Sequence, residues 1–532
     1  MDSNKLKVFL IIFLSAISAV YLGFAAATNQ REAIGWIATG LAAVFILSIG
    51  YRVWMLIPAG LVLQGTINAL PGSPPAWALG ALVAFGIFGM RFALRKSDFV
   101  LRMDLMDIAI LLNIIAIAQA YLRNPTSLLM FGGELAGGKP YATFFVAFVA
   151  YFFLSSLKTD LPNFRIAILV MVVATLGDSF ISLITDWVPA AAAFVLPIYS
   201  NTNFGVAQAG EVMVDIGEMR GGAGFSALGE ALAVALLCFS RPIRCLLPTY
   251  PLRMLLMTLA VIMILLSGFR SITAYILVVY IVVALVRRNF IDITAVVLAS
   301  FFGITILAMS GLAEKLPFGA QRVLSEIPIV KVDEKAKLDA ENSSEWRFEM
   351  WRIALTTDRY IRNKWLGDGF AVSAREMQAQ LNAAQGFNDG SSDADRIEAF
   401  MLRGSFHGFH VETIRFTGVI GLLAAIFAMF VFMRKAWQLL AYYRGQPIFG
   451  FVAFIAIPYV IYPFWALLVF GAYRTEFPQF LAAAGMLKML DTLRIKGLAP
   501  IAQPIPAPST SRNPPFRRPH AAGIPNSALH KG

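Results

Sequence analysis

Charge is scarce in this chain. Of its 532 residues only 14% are Asp, Glu, Lys or Arg, against about 25% in soluble domains. With 58% of the residues hydrophobic, the chain cannot clothe itself in a polar shell, and an ordinary soluble enzyme is excluded. Alternation of apolar and polar residues is missing too. The apolar runs are continuous, which excludes a membrane β-barrel and leaves helices. There are two cysteines, Cys238 and Cys245. Both lie near one helix end on the side that charge bias assigns to the cytoplasm, so a disulfide framework is excluded. There is no internal repeat. No basic stripe is interleaved with aromatics, so the net charge of +12 reads as the Lys and Arg that membrane proteins keep on cytoplasmic loops, not as a nucleic-acid surface. Histidine is the scarcest polar residue, with four copies. His520 and His530 sit in a Pro- and Ala-rich tail without acids, read as disordered over 495–532. His407 and His410 stand at the entrance to an apolar segment.

What is present is a series of apolar segments of membrane-crossing length, about 20 residues each. The fold class is all-α and polytopic, with about 14 transmembrane helices (12–14). The spans are expected near 8–27, 33–50, 53–70, 76–94, 104–122, 141–157, 164–185, 224–240, 252–270, 272–287, 291–310, 411–433, 449–472 and 477–492. The first carries Lys5 and Lys7 ahead of a run longer than a signal-peptide core, and reads as an uncleaved helix. Alternation then puts the main basic clusters inside, among them Arg52, Arg91–Arg95–Lys96, Lys158–Arg165, Arg241–Arg244, Arg287–Arg288 and Arg434–Lys435. Both termini are expected in the cytoplasm. The organisation is a transmembrane bundle over 1–310 with an outside loop at about 186–223, a large partly helical outside loop over 311–410, further transmembrane helices over 411–494, and the tail. Within the large loop, Asn342 and Glu345 fit a capping box. Trp346, Met350, Ile353 and Ala354 then form one apolar stripe.

Charges near outside helix ends are the informative ones, because an ion buried in lipid is costly. Arg270 ends an apolar run, and the next span begins almost at once. It fits a snorkelling interface anchor and equally a fixed cation for a phosphate. Arg347 on the loop helix fits a solvated face or the same role. Arg220 precedes "GGAGFSALGEAL", where glycines let backbone N–H groups approach an anion at a helix start; a plain loop turn fits as well. His407 and His410 fit interface packing, a metal site with Glu412, or a proton acceptor for a sugar hydroxyl. No further outside His or Cys completes a tetrahedral set. "DAD" at Asp393–Asp395 matches a metal-binding tripeptide that is common by chance. Glu230 and Asp178 lie inside spans, where helix-to-helix hydrogen bonds or an ion path account for them. Pro458 and Pro463 interrupt one late span.

Taken in order, these segments resemble a family. "HGFHVETIRFTGVIG" is similar to the O-antigen ligase motif: His407, one residue, nine residues to Gly418, then two more to Gly421. Glu412 matches the acid five residues after the histidine. "SEWRFEMWRIAL", followed by "WLGDGF", looks like the family's segment with Arg347, Trp351, Ala354 and Leu355 and the turn Gly367–Asp368–Gly369–Phe370. "LLSGFRS" is similar to the element ending in Arg270, and "MRGGAGFSALGEAL" to the entry of a mid-chain helix at Arg220. The likeness covers about 215–425.

The resemblance implies a GT-C-like, metal-independent, inverting membrane glycosyltransferase without a cofactor. The implied donor is a polyprenyl-diphosphate-linked glycan at the periplasmic face of the bacterial inner membrane. Arg270 and Arg347 would bind the donor diphosphate, with Arg220 as a third cation. His407 would be the general base, and Glu412, His410 and Trp351 would support it. Partners would be that donor, a glycan or lipid acceptor, the membrane and other polysaccharide-assembly proteins. Gly408 stands where ligases carry Asn, Ser or Gln, which tilts the reading from O-antigen ligase or protein O-oligosaccharyltransferase toward a polysaccharide polymerase. A lipid-linked glycan flippase, with Glu230 and Asp178 on its path, is the reading from another class.

Overall fold

The computed structural model describes residues 49–70, 73–93, 99–100, 102–126, 138–201, 223–372, 398, 400–402 and 404–495. The chain is mostly helical. Among the described residues seven helices are long and apolar enough to cross a membrane: α2 (Ala76–Ala93), α3 (Leu105–Arg123), α4 (Gly138–Ser156), α5 (Leu161–Trp187), α10 (Phe290–Ser310), α13 (Phe409–Tyr442) and α14 (Phe449–Leu468). Three shorter apolar helices, α7 (Ala223–Phe239), α8 (Pro251–Ser267) and α9 (Arg270–Val286), and the more charged α15 (Glu476–Ile495) fall where spans are expected. The remaining helices are α1 (Leu56–Val62), α6 (Pro189–Val195), α11 (Phe318–Leu324) and α12 (Glu334–Thr356). The expected spans at 8–27 and 33–50 lie outside the described residues, apart from the last two positions of the second.

Local chemistry sets the helix ends. Asp104 caps α3 by accepting from the Met106 amide at 2.9 Å, and Asp107 closes the box by accepting from the Asp104 amide at 2.6 Å. Asp160 accepts from the Asn163 amide at the start of α5. α8 opens on Pro251. α14 runs unbroken through Pro458 and Pro463, so the expected interruption does not occur. α14 lies against α13 and α7, and in a membrane helix such neighbours tolerate the two missing N–H donors.

The expected span at 53–70 is corrected. A 3-10 turn (Gly50–Met55) leads into the seven-residue α1, and the chain then turns into strand β1 (Gly65–Ile67). β1 pairs antiparallel with β2 (Tyr199–Asn201), in the register Thr66 to Ser200, so the fold is not purely helical. The Tyr199 ring covers the spot where a side chain at Gly65 would stand, and its hydroxyl donates to Asp178 at 2.5 Å. Apolar character alone did not reveal that this strand pair interrupts the run.

Several basic residues expected on one side tie neighbouring segments together. Arg52 Nε donates to Asn163 at 2.8 Å. Arg241 reaches Asn289 at 3.0 Å and pairs with Asp292. Arg287 donates to the Cys238 carbonyl at 2.9 Å and lies over the Phe449 ring. Asp491 collects Arg102, Lys435 and Arg494 at 3.3, 3.1 and 2.8 Å. Deeper in, Lys488 on α15 pairs with Asp107 on α3, and Tyr151 also donates to Asp107. Both ions are buried, and each lacks water to solvate it, so removal of either partner strands the other.

Against the start of α13, α12 forms a second small core. Met350 and Ala354 are buried with Tyr360, Ile361, Met401 and Phe406, and Trp346 and Ile353 pack against them. The apolar stripe is as expected, but the cap is not. α12 begins at Glu334 with Asp333 accepting from the Lys335 amide, so Asn342 and Glu345 are interior. Residues 334–341 are mostly strong helix formers and carry the helix upstream.

α13 is broken at Gly418, whose φ is 76°. The segment before α13 fills the break. Val419 and Ile420 donate to the carbonyls of Lys364 and Trp365 at 2.9 and 3.3 Å, and Asp368 and Gly369 donate back to those of Arg415 and Phe416 at 2.8 and 3.0 Å. Asp368 also pairs with Arg415. Arg123 and Asn124 at the end of α3 clamp the same turn through the carbonyls of Leu366 and Asp368, both at 2.6 Å. A Cβ on Gly418 would lie 2.2 Å from the Trp365 oxygen. Gly418→Ala is therefore expected to destabilise the protein by about 2–4 kcal/mol. At Gly445 the φ is similar but nothing stands near the Cβ, so Gly445→Ala should cost about 1 kcal/mol. Thermal unfolding in detergent checks the contrast; equal midpoints would contradict it.

Candidate functional site

The site forms where α8 turns into α9. α8 ends at Ser267, Gly268 takes the left-handed conformation, and Arg270 opens α9. α11 lies against this turn, with Gly319 facing Gly268. Arg322 of α11, itself buried, donates to the Gly268 carbonyl at 2.9 Å and pairs with Asp339 of α12. α12 then runs across the top and presents Arg347, Phe348 and Trp351. The end of α14 supplies Leu468. Together these walls enclose a cleft of about 360 Å³ lined by Arg270, Arg322 and Arg347.

Arg270 and Arg347, far apart in sequence, thus share one cleft. Arg270 pairs with Glu326 and donates to the Ala340 carbonyl at 2.9 Å. Arg347 is half-buried, and its Nε is buried without a hydrogen-bond partner among the described residues. Burial first, and the charge of Arg270 second, push its pKa below the ordinary guanidinium value. Glu326 balances Arg270, which leaves Arg347 as the cation of the cleft whose Nε has no described partner.

His407 is not among the residues that line the cleft; it meets Trp346, the neighbour of Arg347 on α12. Its backbone has φ 49°, a left-handed conformation that is uncommon outside glycine. Its ring lies among Trp346, Phe400 and Phe470, with centroids 5.4, 5.3 and 5.8 Å away. Burial, with a smaller contribution from the charge of Arg347, lowers its pKa to about 4. The imidazole is therefore neutral at pH 7 and can accept a proton.

The supporting residues separate. Trp351 lines the cleft, donates from Nε1 to the Phe406 carbonyl at 2.7 Å and meets the His410 ring at 4.7 Å. It thereby fixes the residue before His407. Glu412 is buried and accepts from the Tyr473 amide at 2.8 Å, so it ties α13 to the turn after α14 and does not face the cleft. His410 packs on the indole. These orientations do not bring His407, His410 and Glu412 together as metal ligands. Arg220, Asp393 and Asp395 lie outside the described residues. Asp178 is engaged by Tyr199.

Gly408 acquires a physical reason. A Cβ there would stand 2.7 Å from the Trp351 ring. The indole occupies the place that a side chain at this position would need, so Gly408 and Trp351 act as one unit.

Sequence reasoning missed Arg322 and Glu326. Their signal was present in "FGAQRVLSE", where the two stand four residues apart just past the end of α10. Without the fold, a short polar helix there reads as a solvated face.

Chemically, the cleft presents Arg347 and the Glu326-paired Arg270 to an anion, with Arg322 held in its wall by Asp339 and the Gly268 carbonyl. Compared with known proteins, the chain matches no protein-family model and no curated sequence.

Proposed function

We propose that the protein is a membrane glycosyltransferase that uses a polyprenyl-diphosphate-linked glycan as donor. It acts at the periplasmic face of a bacterial inner membrane, in surface polysaccharide assembly. The proposal includes a GT-C-like helical bundle without a full span at 53–70. The observation that carries it is the shared cleft: Arg270 and Arg347 line it with Arg322, and the ring of Trp346, the neighbour of Arg347 on α12, lies 5.4 Å from the His407 ring.

In this reading an acceptor hydroxyl attacks the anomeric carbon of the donor glycan. The bond from that carbon to the diphosphate oxygen breaks, and the polyprenyl diphosphate leaves with the electron pair. Guanidinium groups already in place stabilise the growing charge without reorganising. His407 takes the hydroxyl proton. The aromatic residues around His407 keep water from competing as acceptor.

Within this class a polymerase is favoured, because Gly408 stands where ligases carry Asn, Ser or Gln. A glycan profile of a strain lacking the gene tests this. Single repeats attached without chain extension is the expected result. Full-length chains left on the lipid carrier would indicate a ligase, and an unchanged profile would contradict the reading.

A further inference from the structure

One carboxylate stands among the cleft-lining arginines. Glu326, on the turn after α11, lines the cleft with Arg270, Arg322 and Arg347 and pairs with Arg270 Nη1. The two anions near this cleft differ in kind. Asp339 is largely buried against a buried Arg322, and that pair fastens α11 to α12 and to the Gly268 carbonyl. Glu326 is 61% exposed while Arg270 is 18% exposed. Its carboxylate can therefore swing into water at little cost, whereas Arg270 is held by α9 and by its bond to Ala340.

We propose that Glu326 is a displaceable counter-ion of the arginine cleft, and that it selects for a diphosphate over a monophosphate. This rests on the anion-binding role proposed above for the same cleft. Glu326 takes an Arg270 donor that a phosphate oxygen would use. An entering anion must release that donor and must also remain near the Glu326 charge. A dianionic or more highly charged ligand long enough to reach both Arg270 and Arg347 gains two cations for the loss of one pair. A monophosphate that reaches one guanidinium merely exchanges one anion for another. The exposed pair is itself weak, so it guards the cleft without closing it. Glu326 is on this account a specificity-determining residue and takes no part in bond breaking.

The test compares binding of inorganic pyrophosphate and orthophosphate by calorimetry on the full chain in detergent or nanodiscs. The wild type is expected to prefer pyrophosphate. Glu326→Gln should bind pyrophosphate about three- to tenfold more tightly and orthophosphate more tightly by a larger factor, so that the preference narrows. Glu326→Asp keeps the charge and should stay close to the wild type. In the Arg270→Gln background the gain from Glu326→Gln should vanish, which separates displacement from a general change in surface charge. Equal pyrophosphate affinity for wild type and Glu326→Gln would overturn the role of Glu326 while leaving the anion site standing. Failure of both proteins to bind pyrophosphate would remove the site and this proposal together. Glu326 is exposed, so its substitution should leave the unfolding midpoint unchanged, and that measurement accompanies the titration.

Discussion

His407→Ala in reconstituted membranes is expected to lower glycan transfer by about 10²–10⁴-fold, with the affinity for the lipid-linked donor little changed. A proton acceptor acts on the acceptor hydroxyl in the transition state, so its loss falls on turnover and not on donor binding. The neighbouring His410 packs on Trp351, and His410→Ala should cost far less. The pH dependence carries the sign. Burial and Arg347 lower the His407 pKa to about 4, so the free enzyme holds the neutral, competent form throughout the neutral range. The acid limb of kcat/KM, which reports the free enzyme, should therefore fall only as pH approaches about 4. Arg347→Gln removes one of the two causes and should move that limb upward. A bound diphosphate beside Arg347 offsets its charge in the same direction and makes His407 a stronger base once the donor is in place. Normal transfer by His407→Ala would end the base assignment.

Arg347→Ala should lower donor use by about 10²–10³-fold, whereas Arg362→Ala, at an exposed position away from the cleft lining, should stay within about twofold. The difference follows from placement. Arg347 lines the cleft and keeps a buried Nε with no described partner. Arg347→Lys should recover little, because a single ammonium cannot reproduce the planar fork that meets two phosphate oxygens. Initial rates with donor varied distinguish the outcomes. Equal losses for Arg347→Ala and Arg362→Ala would remove the diphosphate role from Arg347.

The helices were legible because apolar runs of the right length leave few alternatives. From Ala76 onward, eleven expected spans fall on helices, within a few residues except that α13 runs on to Tyr442, past the expected end at 433. The 53–70 run was misread because its apolar content did not reveal that Thr66 and Ile67 would find a strand partner more than a hundred residues away. The start of α12 was misplaced because two cap signals compete, and the upstream one at Asp333 wins.

Arg270, singled out at a helix end, and Arg347, singled out by motif spacing, line one cleft. Arg322 was not singled out, because its meaning depends on the packing of Gly319 against Gly268. The buried Lys488–Asp107 pair was equally hidden. Two opposite charges in separate helices announce nothing until the helices meet. Gly418, known at first only by its spacing from His407, proves to be the place where another segment satisfies the backbone of a broken helix.

The most direct test of the central claim uses the purified chain in proteoliposomes with a polyprenyl-diphosphate-linked glycan labelled in both lipid and sugar. The account predicts free polyprenyl diphosphate released in step with sugar appearing on an acceptor, both lost in Arg347→Ala. Donor moving across the bilayer with its sugar–phosphate bond intact would contradict it and make the protein a transporter.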